Sequence, residues 1–581
     1  MVAKNVMQRQ GGDAPQKNIL TIALEDYFHG PAFSKIINQT RWGRFETRFE
    51  ENCLAVLQKL EAAESRATFF VNSWVAQTRP DLLREVIRQG HEIALAGQRS
   101  VSFRRLSPKT LRDNVRRDRD ILEHACQNRV LGFRVTDIFL NPSHLWGLTV
   151  LAEEGFRYDS SLSPFLRAFA AEPWRQYIHE IPSPEGSFWE VPLSSQRIAG
   201  LMFPVAGGNY FRQLPEWVVK GILARWRTRI DHPLVLYCRL WDFDPLQPRL
   251  QTGTFWGNFR HYRNSERMVA TLRSLFGQFQ FVSIADYLEL KSTDVVPALR
   301  SEVNVVRDAG VGKTGKTTPI SVIVPCFNEE ASIPYLSRTL QELTKSLSDE
   351  YDVEFILVDD GSQDETWQAL TKYFSLRSDT RLIRHAENLG ISAAILTGMK
   401  HGRDIVCSMD CDCSYDPSEL KPMLHLLEDG VDLVTASPYH PAGAVLNVPQ
   451  WRLLLSRCSS ARYRIVTGRK LYTFTSCVRV YRRSAAMAVP LRHPGFLGIA
   501  ELLSKFALQN KKIVEHPATL EGRLFGQSKM KVIRNIFGHL RLMTQLAGSM
   551  IYNNQATDPP ALPPRVNSRS AKQSKIVSEV K

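Results

Sequence analysis

Two aspartates one residue apart, Asp410 and Asp412, are the residues of this chain whose spacing most directly suggests metal chemistry. The apolar and small residues from Ile405 to Met409 lead straight into them, which predicts a buried strand that ends at the pair. Two carboxylates this close repel each other unless a cation lies between them. Mg²⁺ or Mn²⁺ suits such ligands, because proteins bind these ions through one or two carboxylates together with a substrate's phosphates. Taken alone, an Asp-x-Asp pattern is weak, and its neighbours must support it.

Further polar residues follow other predicted strands in the same half of the chain. Strand 320–324 runs into P-C-F-N-E-E, and strand 353–358 runs into D-D-G-S; helices are predicted at 333–347 and 391–401. The carboxyl ends of parallel strands in an open α/β sheet border one crevice, where ligands bind. The residues at these strand ends are Pro325, Asn328, Glu330 and Asp360.

The segments V-I-V-P-C-F-N-E-E, L-V-D-D-G-S-Q-D-E-T, N-L-G-I-S-A-A and D-C-D occur in this order between residues 322 and 412. Together they resemble the family 2 glycosyltransferases, which have the GT-A (Rossmann-like) fold. The resemblance implies that Pro325, Asn328, Glu330 and Asp360 bind a nucleoside-diphosphate sugar, and that Asp410 and Asp412 are catalytic metal ligands. The chemistry is consistent with this, since a divalent cation offsets the charge that develops on a diphosphate leaving group.

Within that family, the chain is most similar to the polyprenyl-phosphate glycosyltransferases, the group that includes dolichol-phosphate mannose synthase. Arg452 and Ser456 stand four residues apart, so a helix would place both on one face; the resemblance implies that they bind the acceptor phosphate. It also implies a catalytic role for Glu501, near the donor sugar. One departure is Pro438, at a position where such enzymes often have a phosphate-binding arginine.

A second loop of that group has the pattern R-x-x-G-x-S-K, and the present chain has Arg523, Ser528 and Lys529 in this arrangement. The resemblance implies that the loop closes over the donor diphosphate. A last helix is predicted from residue 529 to 552, with one apolar and one basic face. Such a helix could lie on a membrane surface and reach a lipid-linked acceptor, or it could pack on the catalytic domain.

The first half alternates predicted strands and helices, starting with a strand at 19–24, which is typical of a parallel β/α architecture. The segments R-A-T-F-F-V, G-H-E-I-A, G-F-R, Y-D-S-S and F-P-V-A-G-G-N-Y-F-R resemble the NodB-type polysaccharide deacetylases, which form a distorted β/α barrel. Enzymes of that family hold a metal with one acidic residue and two histidines and use a further Asp as base.

Most of these positions differ in the present chain. The base position holds Ala23, the two histidine positions hold Ala96 and Ser100, and a late histidine position holds Arg239. Glu25 and Asp26 remain as the carboxylates of the first motif, and His91 is interpreted as a structural histidine. Without imidazole ligands and a base, a metal-bound water cannot be activated. The domain is therefore predicted to be inactive and kept for glycan binding or docking.

Composition and length limit the remaining possibilities. The 581-residue chain carries a formal charge of +15, which favours anionic partners such as phosphorylated substrates or an acidic membrane surface. Nucleic acid is not predicted as a partner. Nine cysteines without C-x-x-C pairs favour neither a zinc site nor a disulfide framework. With no signal-peptide pattern and no long apolar run, the expected location is the cytoplasm, peripherally on the inner face of the membrane.

The predicted organisation is a disordered tail (1–17), a deacetylase-like domain (18–295), a linker (296–318), a GT-A domain (319–555) and a second disordered tail (556–581). A Walker A string at 310–317 is interpreted as linker, because a proline and a strand follow it instead of a helix.

The predicted function is an inverting, metal-dependent transfer of a sugar from a nucleoside-diphosphate sugar to a polyprenyl phosphate or a surface glycan. Two alternatives remain open at this stage. One is a bifunctional enzyme that also deacetylates the sugar during exopolysaccharide synthesis. The other is a non-enzymatic glycan-binding scaffold.

Overall fold

The computed structural model describes residues 17–34, 36–97, 106–135, 142–164, 169, 171–184, 186–198, 201–205, 207–230, 232–251, 255–290, 317–526, 532–553 and 576–580. The chain divides into two compact units. The first comprises residues 1–42, 47–248 and 255–307, and the second comprises 43–46, 249–254 and 308–581. Most of the predicted linker, including residues 310–316 of the Walker A string, lies outside the described residues.

The strands of the first unit are β1 (Lys17–Leu24), β2 (Thr68–Val71), β3 (Glu92–Ala96), β4 (Gly132–Arg134), β5 (Tyr158–Asp159), β6 (His179–Ser183), β7 (Gly186–Glu190), β8 (Ser195–Ile198), β9 (Leu201–Pro204), β10 (Val235–Arg239) and β11 (Gln280–Val282). Its helices are α1 (Phe49–Ala62), α2 (Ser73–Thr78), α3 (Pro80–Arg88), α4 (Pro108–Cys126), α5 (Trp146–Glu153), α6 (Gly208–Gln213), α7 (Glu216–Arg229), α8 (Phe255–Tyr262), α9 (Ser265–Gln278) and α10 (Ile284–Tyr287).

The main sheet of the first unit has the strand order β10-β1-β2-β3-β4-β5-β7-β6, with β11 also beside β1. All its ladders are parallel except β6–β7. Alternate residues of β1 enter two hydrophobic clusters: Leu20 and Ile22 pack against the helices, and Ile19 and Ala23 face the opposite cluster. Among the described strands no ladder joins β6 to β10, so the sheet is a curled half-barrel.

The strands of the second unit are β12 (Thr318–Cys326), β13 (Tyr351–Asp359), β14 (Thr380–His385), β15 (Ile405–Ser408), β16 (Leu433–Ser437), β17 (Ala444–Leu446), β18 (Arg479–Arg482), β19 (Ile513–Pro517), β20 (Thr519–Glu521) and β21 (Ile576–Val580). Its helices are α11 (Ile333–Leu347), α12 (Thr366–Phe374), α13 (Ile391–His401), α14 (Leu420–His425), α15 (Gln450–Thr467), α16 (Arg483–Met487), α17 (Phe496–Leu508) and α18 (Val532–Asn553).

The sheet of the second unit has the order β19-β16-β18-β15-β12-β13-β14-β21. The central strands β15, β12, β13 and β14 are mutually parallel, and alternate residues of β12 belong to the hydrophobic clusters on the two faces of the sheet. Helices cover both faces, which explains the nearly continuous apolar sequence of these strands. The predicted α/β class is confirmed for both units, with a curled half-barrel in the first and an eight-stranded mixed sheet in the second.

The predicted tail 556–581 contains a five-residue strand, β21, which pairs antiparallel with β14; apart from 576–580, it lies outside the described residues. In the described part of the chain, no helix combines the length and the apolar character that crossing a bilayer requires.

Candidate functional site

The candidate site of the second unit lies where its parallel strands end. Register places Cys326, the last residue of β12, opposite Asp359, the last residue of β13. On the other side of β12, Ile323 is opposite Ser408, the last residue of β15. The loops that follow these three strands therefore leave the sheet at one edge, and they carry the polar residues that the sequence singles out.

Asp410 and Asp412 follow β15 after a single intervening residue, as predicted. Asp412 is buried, and one of its oxygens, Oδ1, accepts a hydrogen bond from the backbone N–H of Ser414 at 3.0 Å. Burial, together with the neighbouring carboxylate of Asp412, raises the pKa of Asp410 to about 7. Negative charge at this edge is therefore costly without a positive partner.

Arg523 supplies positive charge to this edge. Its Nε lies 2.5 Å from Oδ2 of Asp412, and its Nη1 donates a hydrogen bond to Oε1 of Glu329 at 2.8 Å. Glu329 follows β12 directly beside Asn328, and burial raises its pKa despite the opposing effect of Arg523. One guanidinium thus bridges carboxylates from two strand ends.

A divalent cation fits these residues. The site is rich in carboxylate oxygen, and Asp410 has a raised pKa that a nearby cation would reverse. In the described ranges, no group of three or more His, Cys, Asp or Glu side chains is placed to hold a metal ion. The Asp410 and Asp412 pair therefore suits an ion such as Mg²⁺ or Mn²⁺, whose remaining ligands would come from phosphates and water.

The residues after β12 and β13 join the two loops. Asn328 adopts a positive φ of 53°, donates its N–H to Oγ of Ser362 at 2.9 Å, and accepts the N–H of Gln363 on Oδ1 at 2.7 Å. Glu330 accepts the N–H of Glu365 at 3.0 Å. The predicted donor residues Asn328 and Glu330 thus shape the crevice, even before any ligand contact is considered.

Pro325 and Asp360 are both buried, the first within β12 and the second just after β13. Oδ1 of Asp360 accepts hydrogen bonds from the N–H of Leu389 at 2.9 Å and from Nδ1 of His385 at 2.8 Å. Its Oδ2 accepts the N–H of Gly390 at 2.8 Å. Asp360 therefore fixes the turn that precedes α13.

The chain around Arg523 is anchored by short strands. β17 and β20 form a parallel pair, Gly522 donates its N–H to the carbonyl of Leu446 at 2.9 Å, and Glu521 donates its N–H to the carbonyl of Ser414 at 2.8 Å. These contacts hold Arg523 beside the Asp pair. The other two residues of the predicted diphosphate loop, Ser528 and Lys529, lie outside the described residues.

Arg452 and Ser456 lie on α15, as the spacing predicts, and both line a cavity of about 170 Å³. The Nε of Arg452 is buried and has no hydrogen-bond partner among the described residues. The other lining residues come from α15, the β18-side loop, the start of α17 and α18: Trp451, Leu455, Cys458, Ser459, Arg462, Thr475, Phe496, Ile536, His539, Leu540 and Met543. Cationic and hydroxyl groups thus share the cavity with apolar side chains.

Glu501 is buried in α17 and accepts hydrogen bonds from several donors. They are the N–H of Arg492 at 3.1 Å, the N–H and Nδ1 of His493 at 3.0 and 2.9 Å, and Nζ of Lys505 at 2.6 Å. Burial alone would raise the pKa of Glu501, but Lys505 and His493 lower it below its ordinary value. None of these contacts joins Glu501 to Asp410 or Asp412, and its catalytic role stays a prediction.

Sequence reasoning did not single out several residues of the site. Glu329 could have been found from its position in N-E-E, between two residues that were selected. His385 stands three positions before Asn388, the first residue of N-L-G, but no spacing rule marks it as the partner of Asp360. His539 carried no signal at all, because a histidine in an amphipathic helix is ordinary. It accepts or donates a 2.8 Å hydrogen bond with the hydroxyl of Tyr463.

In the first unit, the described residues at the positions of the deacetylase motifs are buried or hydrogen-bonded within the fold. Ala23 and Ala96 are buried at the ends of β1 and β3. The carboxylate of Asp26 accepts the N–H groups of Tyr27, Arg48 and Phe49, and burial raises its pKa to about 7.

His91, the histidine of the G-H-E-I-A motif, is also engaged by a hydrogen bond within the fold. Nδ1 of His91 accepts the N–H of Ala67 at 3.2 Å, and burial lowers the pKa of His91 to about 4. It is therefore neutral at pH 7 and bonded to the backbone, which agrees with its interpretation as a structural histidine. Ser100, at the second predicted histidine position, lies outside the described residues.

Family models match three parts of the chain. Residues 321–489 match glycosyl transferase family 2, residues 42–148 match polysaccharide deacetylase, and residues 160–289 match a domain of unknown function, DUF3473.

Among curated relatives, the chain is 29% identical over 230 residues to a dolichol-phosphate mannosyltransferase of Pyrococcus furiosus, covering 39% of this chain and 63% of that protein. It is 29% identical over 237 residues to a polyprenol monophosphomannose synthase of Mycolicibacterium smegmatis, covering 39% and 87%. A solved structure of glucosyl-3-phosphoglycerate synthase from Mycobacterium tuberculosis with Mn²⁺, UDP-glucose and phosphoglyceric acid is 21% identical, with a TM-score of 0.32 and coverage of 41% and 81%. A TM-score this low carries no functional argument.

Proposed function

We propose that this chain, which carries a family 2 glycosyltransferase domain after a polysaccharide deacetylase-like domain, transfers a sugar from a nucleoside-diphosphate sugar to a polyprenyl phosphate. The observation that carries the proposal is the cluster of Asp410, Asp412 and Arg523 at one edge of a parallel sheet. Carboxylates for a metal and a guanidinium for phosphate are the groups that a departing diphosphate requires.

The donor would bind along the crevice between the loops after β12 and β13, bordered by Pro325, Asn328, Glu330 and Asp360. Asp410 and Asp412 would hold Mg²⁺ or Mn²⁺, which supplies charge compensation for the diphosphate when bound. Arg523 is within reach of the same phosphates, because it already lies against Asp412. Ser528 and Lys529 would complete the loop over the diphosphate. Direct displacement at the sugar carbon inverts its configuration.

The acceptor proposal rests on the cavity between α15 and α18. Arg452 and Ser456 offer a guanidinium and a hydroxyl to a phosphate, and Leu540 and Met543 offer apolar surface to an isoprenoid chain. A phosphate is already ionised at neutral pH, so its transfer does not require a strong general base. The names of the two curated relatives, which refer to dolichol phosphate and polyprenol, support a lipid phosphate over a surface glycan.

Exposed apolar side chains on α15 and α18 support a location at a membrane surface, peripheral on its cytoplasmic side. They are Trp451, Leu454, Leu455, Phe537 and Leu540. Exposed arginines Arg457, Arg462 and Arg541 belong to the same two helices. Apolar side chains inserted among the headgroups, with arginines beside anionic lipids, are the usual features of an interfacial helix.

For the first unit we propose a glycan-binding or docking role without deacetylation. The support is the residue types at its strand ends: Ala23, Ala96 and Arg239 stand where a metal site would need a carboxylate and imidazoles. The purified chain should release no acetate from N-acetylated oligosaccharides with added Zn²⁺ or Co²⁺. Metal-dependent acetate release would instead favour the bifunctional alternative.

A panel of sugar nucleotides tests the proposed transfer. Guanine and uracil nucleotides of several hexoses would be incubated with Mn²⁺ or Mg²⁺, with and without polyprenyl phosphate, and nucleoside diphosphate release would be measured. At least one donor should be consumed only when both the divalent ion and the lipid phosphate are present. Metal-independent consumption would contradict the proposed role of the Asp pair, and no consumption of any donor would favour the scaffold alternative.

A further inference from the structure

The carboxylate of Glu501 has no capacity left for a substrate. An ionised carboxylate offers about four lone-pair positions. Four donors from three neighbours occupy them: the N–H of Arg492, the N–H and the ring Nδ1 of His493, and Nζ of Lys505. A group that contacted the transferred sugar would need at least one position free. The contacts of Glu501 instead fix two consecutive backbone amides just before α17.

Those two amides begin a segment, residues 492–495, that packs against the start of α13. The carbonyl of Pro494 accepts the N–H of Ala393 at 2.9 Å, and the carbonyl of Gly495 accepts the hydroxyl of Ser392 at 2.9 Å. Gly390 lies so close that a Cβ on it would be 2.7 Å from both the Cα of Gly495 and the carbonyl oxygen of Pro494. The 492–495 segment and the Gly390 turn are therefore in backbone-to-backbone contact.

The Gly390 turn belongs to the donor side of the site, because Asp360 holds its two N–H groups at 2.8 and 2.9 Å. At its other end, the 492–495 segment continues directly into Phe496. Phe496 lines the cavity that contains Arg452 and Ser456, and its ring lies 6.4 Å from that of His539 on α18. One short segment thus connects the donor-side turn with a wall of the acceptor cavity, and Glu501 anchors it.

We propose that Glu501 is a positioning residue: through the 492–495 segment it holds Phe496 in place as a wall of the acceptor cavity, and it does not contact the transferred sugar. This role deepens the proposed function and rests on it, since the cavity must receive a polyprenyl phosphate. It assigns Glu501 to acceptor affinity instead of to the chemical step that the resemblance implied.

The chain provides its own reporter for acceptor binding. Cys458 lines the cavity and is exposed, whereas seven of the other eight cysteines are buried and Cys413 is partly buried. A maleimide should therefore react first at Cys458, and a short polyprenyl phosphate such as farnesyl phosphate should slow that reaction when it fills the cavity. A Cys458→Ser variant identifies any labelling at other positions.

Glu501→Gln is the informative variant, because an amide keeps the size of the side chain but can neither accept four hydrogen bonds nor balance Lys505. The farnesyl phosphate concentration that half-protects Cys458 should rise about tenfold, equivalent to about 1.4 kcal/mol. Nucleoside diphosphate binding with Mn²⁺ and kcat at saturating acceptor should each stay within about threefold. Phe496→Leu leaves the contacts of Glu501 intact and should raise the half-protecting concentration in the same way, which keeps the test valid if Glu501→Gln folds poorly.

Glu123→Gln is the matched control. Glu123, in the first unit, also accepts a loop N–H, from Val130 at 2.9 Å, so it tests the general cost of removing such a carboxylate. It should leave the protection of Cys458 unchanged. A fall of kcat by about 100-fold or more in Glu501→Gln, with unchanged protection, would overturn the proposal and return Glu501 to the reacting sugar.

Unchanged protection in both Glu501→Gln and Phe496→Leu would also overturn it. If the wild type transfers sugar to the lipid while these variants bind the acceptor normally, the positioning role fails and the proposed function stands. If farnesyl phosphate does not protect Cys458 even in the wild type, the acceptor site itself fails.

Discussion

Asp412 is held in place by one backbone N–H and one guanidinium, so replacing its carboxylate by an amide changes charge with little change in shape. We expect Asp412→Asn, and likewise Asp410→Asn, to lower metal-dependent donor consumption about 100-fold or more, because charge compensation for the diphosphate is lost. Calorimetric titration of each variant with Mn²⁺, in the presence of a nucleoside diphosphate, should show that the ion binds more weakly than to the wild type.

Asp416→Asn is the control for these variants. Asp416 lies in the same loop, but its carboxylate accepts the N–H of Ser418 at 3.0 Å and caps a short helical turn. The Asp416→Asn variant should bind Mn²⁺ in the presence of nucleoside diphosphate as the wild type does. Retained turnover in both Asp410→Asn and Asp412→Asn would remove the metal role from the pair.

Arg523 balances carboxylates at the same edge, so its loss should matter most when no metal is present. We expect Arg523→Ala to lower the melting temperature by about 2–4 °C in chelator, corresponding to about 1 kcal/mol for a partly exposed pair. Added Mn²⁺ should reduce the difference, because the cation takes over the compensation. Thermal unfolding with and without Mn²⁺ measures both effects.

For comparison, Arg482→Ala removes a guanidinium that donates to the backbone carbonyl of Val431 at 2.9 Å. Its effect on the melting temperature should be the same with and without Mn²⁺. An Arg523→Ala effect that is equally insensitive to Mn²⁺ would argue against a shared electrostatic site.

At the scale of elements, the turn before α13 packs directly against the backbone of the 492–495 segment. Gly390 has a φ of 104°, and a Cβ there would meet the backbone of Pro494 and Gly495 at 2.7 Å. We expect Gly390→Ala to destabilise the second unit by about 3 kcal/mol, through backbone strain and overpacking. Chemical denaturation followed by circular dichroism gives the value.

Gly430 separates backbone strain from overpacking, because its φ is also positive, at 81°, but a Cβ added to it would have nothing within 4 Å. Gly430→Ala should therefore cost about 1 kcal/mol, the strain alone. Equal costs at the two positions would mean that the 492–495 segment yields to the methyl group.

Helices α15 and α18 carry the proposed membrane surface. We expect Leu454→Ser and Trp451→Ser to weaken co-sedimentation with vesicles that contain anionic lipids, because each removes an exposed apolar side chain that would enter the headgroup region. Leu376→Ser alters a leucine in the loop after α12 that is even more exposed, at 98% against 65% for Leu454, and it should have no effect. If Leu376→Ser weakens binding as much as Leu454→Ser, the helices are not the contacting surface.

Long periodic elements were predictable from the sequence, whereas contacts between distant residues were not. The helix predicted at 333–347 is observed as α11, and the apolar runs at 320–324 and 353–358 are the buried parts of β12 and β13. Their apolar spacing is a local property, which explains the success. Arg523 and Glu329, in contrast, are 194 residues apart, and only the tertiary fold brings the guanidinium to that carboxylate.

The site residues divide in the same way. The positions of Asp410 and Asp412 could be predicted because they directly follow one strand, and those of Arg452 and Ser456 because they lie on one helix. Their roles stay predictions. The role of Glu501 could not be read from its position in α17, since it depends on the backbone of Arg492 and His493 meeting its carboxylate. A motif shows which residue type stands at a position in the sequence. The hydrogen-bond donors that contact its side chain depend on the folded structure.

At the scale of the whole molecule, the two units bury different groups of carboxylates. The first contains a buried acidic pair, Asp159 and Glu190, whose carboxyl groups lie close enough to influence each other's pKa. Burial, and then the neighbouring Asp159 carboxylate, raise the pKa of Glu190 well above its ordinary value. The folded state therefore retains a proton that the unfolded chain releases near its ordinary glutamate pKa of about 4.3. The stability of this unit should fall as pH rises through the raised pKa.

Hydrogen exchange of the backbone amides of β7 measures this at about pH 5 and about pH 8, both above the pKa of an unfolded glutamate. After correction for intrinsic exchange rates, protection should be lower at the higher pH. Glu190→Gln should flatten the dependence, because an amide has no proton to release in this pH range. An unchanged slope in that variant would place the titrating group elsewhere.

The proposed function requires that a sugar becomes attached to a phosphate oxygen of a lipid. Phosphorus NMR of a reaction that contains the chain, Mn²⁺, polyprenyl phosphate and the donor that the panel selects tests this directly. The phosphomonoester signal should convert to that of a phosphodiester in step with nucleoside diphosphate release, and Asp412→Asn should abolish the conversion. Nucleoside diphosphate release that leaves the phosphomonoester signal intact would contradict a polyprenyl phosphate acceptor.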